Sequence, residues 1–314
     1  MNKSNVLAID CGGTFIKAGL VNPAGEILDQ TSIPTDSKQG LENVLAIFEK
    51  LIAKYQAQTE AVGLAFAAPL NSEHGIILEP VNFPKEWHNF PLAKILGERV
   101  HMPIYLQNDA KLAALGEYWK GAGQGSDVLV VLTLGTGVGG GLVFNGKLWL
   151  GATGIAGELG HILIATDGPK CGCGKNGCLE TFASCTAVVR MANAAKQNTK
   201  IATKLTQESD LTAEKVYRIA KEGDAVATQI FVTMGQALAK GICNICHVVG
   251  PRHIILTGGG AGSWDMFYPT LQETFSTISF QSERDTVQIA RGKLGEKSGI
   301  LGTAYFVFQK LGKR

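Results

Sequence analysis

The chain has 314 residues, of which 45% are hydrophobic and 39 are glycine, a length that predicts about two domains with ample core. Its 29 Lys and Arg against 27 Asp and Glu leave a net charge of +2, which argues against a nucleic-acid partner held by a basic surface. An apolar strand begins at Val6 with no signal peptide before it, and seven cysteines are an odd number for a disulfide framework. We therefore expect a cytoplasmic protein with no membrane partner.

Strands and helices alternate along the chain, which is typical of the α/β class. The predicted elements, in chain order, are strands at 6–10 and 15–21, a helix at 41–55, strands at 61–67 and 104–106, a helix at 110–119, strands at 128–134 and 139–144, a helix at 225–248, a strand at 254–257 and a closing helix at 298–311. The pattern of strand, glycine turn and strand at 6–21 returns at 128–144. This repeat favours a duplicated architecture with one such hairpin in each domain.

Two apolar stretches are explained without a membrane span. The charge-free run 128–146 has glycines crowded in its middle, so a hairpin at a glycine-rich turn accounts for it. In the helix 225–248, polar residues recur every three or four positions, as in an amphipathic helix packed on one side. That helix contains Cys243, Cys246 and His247 in the spacing of a haem-attachment motif. Because such attachment requires an exported chain, we interpret both cysteines as small buried hydrophobic residues.

Three glycine turns follow predicted strands and form the first group of candidate site residues. Glycine lets backbone N–H groups converge on an anion, threonine hydroxyls add donors, and an aspartate at a strand end can orient magnesium. The alternative for each turn alone is a tight hairpin, whereas the three together favour nucleotide phosphates; no GxxxxGK(S/T) signature is present. The candidate nucleotide-binding residues are Asp10, Gly12, Gly13, Thr14, Lys17, Gly135, Thr136, Gly137, Gly258, Gly259 and Gly260.

A histidine and three cysteines form a second group. His161 with Cys171, Cys173 and Cys178 supplies one imidazole and three thiolates, the donor set of tetrahedral zinc, and the glycines between them let the chain wrap the ion. Four protein ligands leave no open position for water, so this zinc would be structural. The alternative is three reduced cysteines in a loop.

Carboxylates near this group and near a strand end form the third. Glu158 and Glu180 flank the cysteines, so a zinc site would hold both as hydrogen-bond acceptors for a ligand rich in hydroxyls. The alternative is two surface acids. Asn108 and Asp109 follow the strand 104–106, where an aspartate is well placed to act as a general base. The alternative role for Asp109 is to cap the helix 110–119.

On these motifs the sequence resembles the ROK family of sugar kinases over essentially the whole chain. Asp10-Cys11-Gly12-Gly13-Thr14 looks like the family's first phosphate motif, and Leu134-Gly135-Thr136-Gly137 looks like its second. Gly157-Glu158-Leu159-Gly160-His161, followed by the stretch from Cys171 to Glu180, is similar to the family signature and its zinc loop. This combination is far more specific than any glycine turn alone.

The resemblance implies a two-domain, actin-like α/β fold of the hexokinase and ribonuclease H type, with a cleft between the domains. We place a small α/β domain at 1–112, closed by a C-terminal helix at about 298–314, and a large α/β domain with the zinc loop at 113–297. The implied activity is phosphorylation of a hexose by ATP, usually at the 6-hydroxyl, with magnesium and a structural zinc ion. The family also implies a homodimer or homotetramer.

Residue roles follow from the same resemblance. Asp109 matches the catalytic base, and Asn108 matches its neighbour on the sugar. The matches to residues that hold sugar hydroxyls are Asn82, Glu158, His161 and Glu180. The resemblance assigns the zinc ion to one ring nitrogen of His161 and the sugar to the other, and it places the glycines 258–260 on the adenosine side.

Two departures put the identity of the sugar in doubt. The stretch 67–71 keeps a proline but lacks the Pro-Gly-Pro pattern common in the family's glucokinases, and Lys111 stands where they often carry an uncharged residue. We expect a glucokinase-like kinase, with N-acetylmannosamine, N-acetylglucosamine, allose and fructose as rival substrates. A sugar-sensing repressor would need a helix-turn-helix domain before the first phosphate motif. An actin-like ATPase or scaffold would need neither the zinc loop nor Asp109.

Overall fold

The computed structural model describes residues 4–12, 15–35, 40–78, 85–198 and 201–313. Its strands are β1 (Asn5–Cys11), β2 (Phe15–Val21), β3 (Ile27–Pro34), β4 (Thr59–Phe66), β5 (Leu70–Asn71), β6 (Ile76–Ile77), β7 (Ile104–Asn108), β8 (Val128–Leu134), β9 (Val138–Phe144), β10 (Lys147–Leu148), β11 (His253–Thr257) and β12 (Gln288–Arg291). Its α-helices are α1 (Leu41–Tyr55), α2 (Leu92–Val100), α3 (Asp109–Lys120), α4 (Glu180–Ala183), α5 (Cys185–Asn198), α6 (Ala213–Lys221), α7 (Ala225–Val249), α8 (Trp264–Ile278), α9 (Gln281–Thr286) and α10 (Lys297–Lys310). The mixture confirms the α/β class.

Segments with strong hydrophobic periodicity form the elements that the sequence predicts. The predicted helix 41–55 is α1, and the predicted helix 225–248 is α7, with Gln236, Lys240 and Asn244 on its exposed side. The strands β8 and β9 confirm the hairpin interpretation of the run 128–146. Within the described part of the chain, no helix is both long enough and apolar enough to span a membrane.

The first sheet has the order β3-β2-β1-β4-β7. β1 is antiparallel to β2, whereas β1, β4 and β7 run parallel, so the carboxyl ends of these three strands meet at one edge. α1 contributes to the hydrophobic core beside β1 and β4. α10 also lies against these strands and packs on α3. Gly302 permits this helix packing, because a side chain there would collide with the backbone of Leu112.

The second sheet has the order β10-β9-β8-β11-β12, with β8, β11 and β12 parallel. The two sheets therefore have the same arrangement of strands, which agrees with the duplicated pattern at 6–21 and 128–144. Thr133 pairs with Thr257 in the parallel register of β8 and β11. The glycine turns that follow these two strands are consequently neighbours at one edge of the sheet.

The chain divides into two compact units. One comprises residues 1–126, 141–157 and 296–314, and the other comprises residues 127–140 and 158–295. This division differs from the predicted boundary between 112 and 113. The physical reason is that α3 packs on α10 along its length and therefore stays whole with the first unit. Gly141 lies against Ala114 of α3, which brings the segment 141–157 into the same unit.

Candidate active site

The second and third glycine turns are fixed to each other and to α5 in the second unit. The carbonyl of Gly135 accepts a hydrogen bond from the N–H of Cys185 at 2.8 Å, and Thr186 Oγ1 donates to the carbonyl of Thr136 at 2.7 Å. Both bonds come from the first residues of α5. The turn after β8 is thus held by the amino-terminal end of a helix, where N–H groups favour negatively charged ligands.

Gly258 and Gly260 allow the third turn to lie directly on the second. Gly258 has φ of +87° and ψ of 173°, a conformation that is essentially restricted to glycine. A Cβ atom on Gly258 would lie 2.6 Å from the carbonyl oxygen of Leu134, and one on Gly260 would lie 3.3 Å from Cys185 Sγ. Glycine is therefore required here by both conformation and space.

We expect Gly258→Ala to lower the free energy of unfolding by about 2 kcal/mol or more, because the new methyl group meets the backbone of Leu134 in a conformation that alanine avoids. Urea denaturation of the purified protein measures this change. Gly262→Ala is the matched control, since an added Cβ there has no atom within 4 Å, and its effect should stay below about 0.5 kcal/mol. Equal destabilisation by both substitutions would contradict the steric argument.

A cavity of about 460 Å³ opens beside the third turn. Tyr217 is fixed in its wall, because its hydroxyl donates to Asp265 Oδ1 at 2.9 Å and its ring lies edge-on to Phe231. Further lining residues are Cys185, Val188, Met234, Gly259, Gly260 and Ser263. Aromatic and apolar walls next to exposed backbone groups suit a planar heterocycle that carries polar substituents.

Asp10 is the candidate magnesium aspartate, and it lies near the carboxyl end of β1 in the first unit. Burial, with the negative charge of Asp109 as the second cause, raises the pKa of Asp10 to about 7, although the positive charge of Lys17 opposes the increase. Lys17 of β2 lies opposite Asp10 in the antiparallel register of β1 and β2. Its ammonium group forms an ion pair with the Glu296 carboxylate at 2.9 Å. A Cβ on Gly299, in the first turn of α10, would lie 2.6 Å from Asp10 Oδ2. The carboxylate therefore sits against a helix amino terminus where glycine leaves room for it.

The rest of the first turn is only partly described. The carbonyl of Gly12 accepts a hydrogen bond from Thr35 Oγ1 at 2.6 Å, whereas Gly13 and Thr14 lie outside the described residues. Burial raises the pKa of the Cys11 thiol well above its usual value, and the charges of Asp10 and Asp109 add to this effect. Cys11 is consequently held as a thiol, which disfavours its reaction with oxidants.

Asn108 and Asp109 stand where β7 passes into α3. Asn108 Oδ1 accepts a hydrogen bond from the N–H of Lys111 at 3.1 Å, so the N-cap of α3 is Asn108 rather than Asp109. Asp109 begins the helix, and its Oδ1 accepts from the N–H of Ala110 at 2.8 Å. This bond fixes the orientation of the Asp109 carboxylate. The negative charge of Asp109 lies close enough to Asp10 to raise the pKa of the Asp10 carboxyl.

Lys111 is buried in the first unit, with only 4% of its surface exposed. Its ammonium group donates a hydrogen bond to the carbonyl of Gly154 at 3.1 Å. Gly154 belongs to a loop in which Gly151 and Gly157 also have positive φ. The buried Lys111 side chain therefore anchors the loop that leads to Glu158.

The histidine and the three cysteines come together in the second unit, as the sequence predicts for a metal site. Cys171 Sγ lies 3.5 Å from His161 Nδ1, Cys173 Sγ lies 3.6 Å from Cys178 Sγ, and all four ligand atoms fall within 4.8 Å of one another. Tetrahedral zinc separates neighbouring sulfur and nitrogen ligands by about 3.3–3.8 Å. The donor set and its spacing therefore fit a zinc ion. Burial raises the pKa of Cys171 to about 12, so binding of a metal would release its proton.

Glu180 lies between this cluster and the second glycine turn. Its Oε2 accepts a hydrogen bond from the N–H of Val138 at 3.0 Å, and its Oε1 is 3.5 Å from Cys171 Sγ. Gly137 has no room for a side chain, because a Cβ there would collide with Glu180. His161 turns Nδ1 toward Cys171, which leaves Nε2 on the side of the ring away from that cysteine. Glu158 is exposed, and Asn82 lies outside the described residues.

A model of the ROK family matches residues 6–310. This chain belongs to the ROK family. It is 35% identical to a glucokinase of Thermotoga maritima, over 99% of this chain and 100% of the relative, and 32% identical to an N-acetylmannosamine kinase of Escherichia coli O157:H7, over 95% and 96% of the two chains. The crystal structure of a ROK family glucokinase from Streptomyces griseus, in complex with glucose and AMPPNP, superposes with a TM-score of 0.81 at 31% identity, covering 96% of this chain and 99% of that one.

Sequence reasoning about this ROK family chain missed the walls that α5 and α6 give to the cavity. Local signals for both helices are present in the sequence. Ser184 Oγ accepts a hydrogen bond from the N–H of Ala187 at 3.0 Å, and Thr212 Oγ1 accepts one from the N–H of Lys215 at 3.2 Å, so a capping residue precedes each helix. Those signals could have located the helices, but not their position beside the third glycine turn.

Proposed function

We propose that this ROK family protein transfers the γ-phosphate of ATP to the 6-hydroxyl of a hexose, with glucose as the leading substrate. The observation that carries the proposal is the proximity of Asp109 and Asp10 in the first unit, where the charge of one raises the pKa of the other. A carboxylate that can accept a proton and one that can orient phosphate-bound magnesium thus lie together. Phosphoryl transfer requires both functions near the reacting oxygen.

Asp109 serves as the general base. Its carboxylate accepts the proton of the sugar hydroxyl while the hydroxyl oxygen attacks the γ-phosphorus, and ADP leaves with the electron pair of the broken P–O bond. The hydrogen bond from Ala110 to Oδ1 holds the carboxylate in one orientation before the substrate arrives. Asn108 supports this arrangement, because its Oδ1 accepts from Lys111 and its amide donates to the carbonyl of Ala68 at 3.5 Å, which leaves its second amide N–H for an adjacent hydroxyl.

The nucleotide is assigned to residues of each unit separately. Asp10 would hold a magnesium ion or its waters, and the ion would neutralise charge on the phosphates. In the second unit, the N–H of Gly135 donates to the carbonyl of Gly137 at 2.9 Å, so we assign the phosphate oxygens to the N–H groups of Thr136 and Gly137 beside the start of α5. The cavity beside Gly259 and Gly260, with Tyr217 in its wall, suits adenosine.

A structural zinc ion fits the cluster of His161, Cys171, Cys173 and Cys178. Its contribution would be to hold Glu180 and the ring of His161 rigidly, because both side chains contact Cys171. Glu180, His161 Nε2 and Glu158 are then the hydroxyl-binding groups of the second unit. Carboxylates and a neutral imidazole suit an uncharged sugar that offers several O–H donors.

N-acetylmannosamine is the second candidate substrate. The observation that favours it is the 32% identity to an N-acetylmannosamine kinase, and Lys111 anchors the loop leading to a candidate sugar-binding residue, Glu158. Such a loop is well placed to alter the space around one sugar substituent. N-acetylglucosamine, allose and fructose remain further candidates on the same reasoning, and a sugar sensor without kinase activity is the candidate from another class.

The test is ADP release from Mg-ATP with glucose, N-acetylmannosamine, N-acetylglucosamine, allose, mannose and fructose, each against a blank without sugar. We expect glucose to raise the rate well above the blank, and a larger response to N-acetylmannosamine would select the second candidate. Sugar binding detected by calorimetry without ADP release would support the sensor instead. ATP turnover that no sugar changes would overturn the proposal in favour of an ATPase.

A further inference from the structure

A second cluster of side chains that can ligate a metal lies at the end of α7 and shares no residue with the candidate active site. Cys243 and His247 are one helical turn apart on α7, so they share a face of the helix. Glu283 comes from α9 and turns its carboxylate toward the same point. Cys243 is buried as its sequence pattern predicts, with 5% of its surface exposed. The structure adds two partners to it.

The distances match those of a metal site. Cys243 Sγ lies 3.7 Å from His247 Nε2, and His247 Nε2 lies 3.4 Å from Glu283 Oε2, with the three ligand atoms all within 4.8 Å of one another. Zinc bonds of about 2.3 Å to sulfur and about 2.0–2.1 Å to nitrogen and oxygen, at tetrahedral angles, place neighbouring ligand atoms about 3.3–3.6 Å apart. The spacing resembles that of the cysteine cluster, where the corresponding separations are 3.5 and 3.6 Å.

Surrounding contacts hold each of the three side chains. The thiol of Cys243 donates to the carbonyl oxygen of Ile278, with Sγ 3.6 Å from it. Glu283 Oε2 also accepts a hydrogen bond from the N–H of Phe280 at 2.9 Å, which ties the carboxylate to the start of α9. The ring of His247 packs on the ring of Phe280 with centroids 4.9 Å apart. Hydrogen bonds and packing that hold a ligand in place are what a preorganised metal site requires.

Exposure leaves a path for an ion to enter. Cys243 is buried, the Glu283 side chain is 14% exposed, and the His247 side chain is 39% exposed. The cluster is therefore open to solvent on the side of the histidine and closed on the side of the cysteine. A fourth ligand would come from solvent, because the described residues supply three.

We propose that Cys243, His247 and Glu283 bind a zinc-type divalent cation, with water in the remaining coordination position. A thiolate, an imidazole and a carboxylate together favour zinc over magnesium or calcium, which prefer oxygen ligands alone. Bound there, the ion links α9 to the end of α7. The site goes beyond the kinase activity proposed above and does not depend on it.

Metal content of the full-length protein tests this site. Wild-type protein and the variants His247→Ala and Glu283→Gln are loaded with zinc, passed over a chelating resin and analysed for zinc per chain. We expect each variant to hold about one ion fewer than wild type. The result is a difference between proteins of the same fold, so it stands whatever metal the cysteine cluster holds and whether or not the kinase assay succeeds.

Matched controls separate the ligands from their neighbours. Cys246→Ser replaces a buried cysteine of α7 that is not one of the three ligands, and His88→Ala replaces an exposed histidine of the first unit; both should retain the zinc content of wild type. Zinc should also raise the thermal midpoint of His88→Ala more than that of His247→Ala, because an ion that binds only the folded state stabilises it. Equal zinc content in wild type, His247→Ala and Glu283→Gln would overturn the proposal.

Discussion

Asp109→Asn is expected to lower sugar-dependent ADP formation by about 10²–10⁴-fold, the usual contribution of a positioned general base. Asparagine keeps an oxygen that can accept the hydrogen bond from Ala110, so the local geometry survives while the ability to take a proton is lost. Turnover should fall much more than sugar affinity. Steady-state kinetics with Mg-ATP and the best sugar of the panel measure both quantities.

The fold of this variant should not be weakened. Removing the charge of Asp109 removes one of the causes that raise the pKa of Asp10, so thermal unfolding should occur at or above the wild-type temperature. Zinc content should be unchanged, because the candidate zinc ligands named above all belong to the second unit. Asp127→Asn, at an exposed aspartate just before β8, is the matched control and should keep wild-type turnover. A folded Asp109→Asn with wild-type turnover would contradict the assignment of the base.

Local pattern alone was enough for several elements of the fold. The bounds of α1, β2 and β8 agree with the predicted segments, because α1 buries one helical face and the two strands are short runs that are buried along most of their length. The prediction omitted β3, whose outward side chains are mostly polar, and α5, whose sequence carries few large apolar residues. Such elements are stabilised by their neighbours in the fold, and a single segment does not reveal those neighbours.

The candidate site was predictable in its residues and not in its contacts. Motif spacing predicted the grouping of His161 with Cys171, because these residues are close along the chain. The proximity of Asp10 to Asp109 depends instead on the order of the strands in the first sheet. Likewise, the bond from Lys111 to Gly154 joins segments far apart in sequence. Pairings of this kind form only in the tertiary fold. For the same reason, the sequence did not indicate that Glu283 lies beside Cys243.

Asp10→Asn should lower the activity of the enzyme and raise the stability of the magnesium-free protein. We expect it to lower turnover by about 10²-fold or more, because the candidate ligand of magnesium is lost. In magnesium-free buffer at pH 8 the same variant should be more stable than wild type. Burial and Asp109 raise the pKa of Asp10 from 3.8 to about 7, so the folded protein resists ionisation of this carboxyl, whereas the unfolded chain does not.

The sign of the pH dependence follows from that shift. Because the folded pKa lies above the unfolded value, the stability that protonated Asp10 contributes is fully present below pH 4 and is lost as the pH rises to about 7. Three units of pKa correspond to roughly 4 kcal/mol, which is an upper bound on the gain from asparagine at pH 8. Urea denaturation at pH 5 and pH 8 measures the difference in free energy of unfolding between Asp10→Asn and wild type. This difference should be smaller at pH 5.

Asp29, whose pKa is shifted in the opposite direction from that of Asp10, provides the control. Hydrogen bonds from Tyr55 and Lys54 lower the pKa of Asp29, so its ionised form is favoured by the fold, and Asp29→Asn should bring no gain in stability at pH 8. If Asp10→Asn also had the same free energy of unfolding as wild type at pH 8, ionisation of Asp10 would not destabilise the folded protein, and the prediction would be contradicted. Magnesium should narrow the difference between wild type and Asp10→Asn, because an ion bound by ionised Asp10 stabilises only the wild-type fold. The same carboxylate would then weaken the metal-free protein and stabilise the protein with magnesium bound.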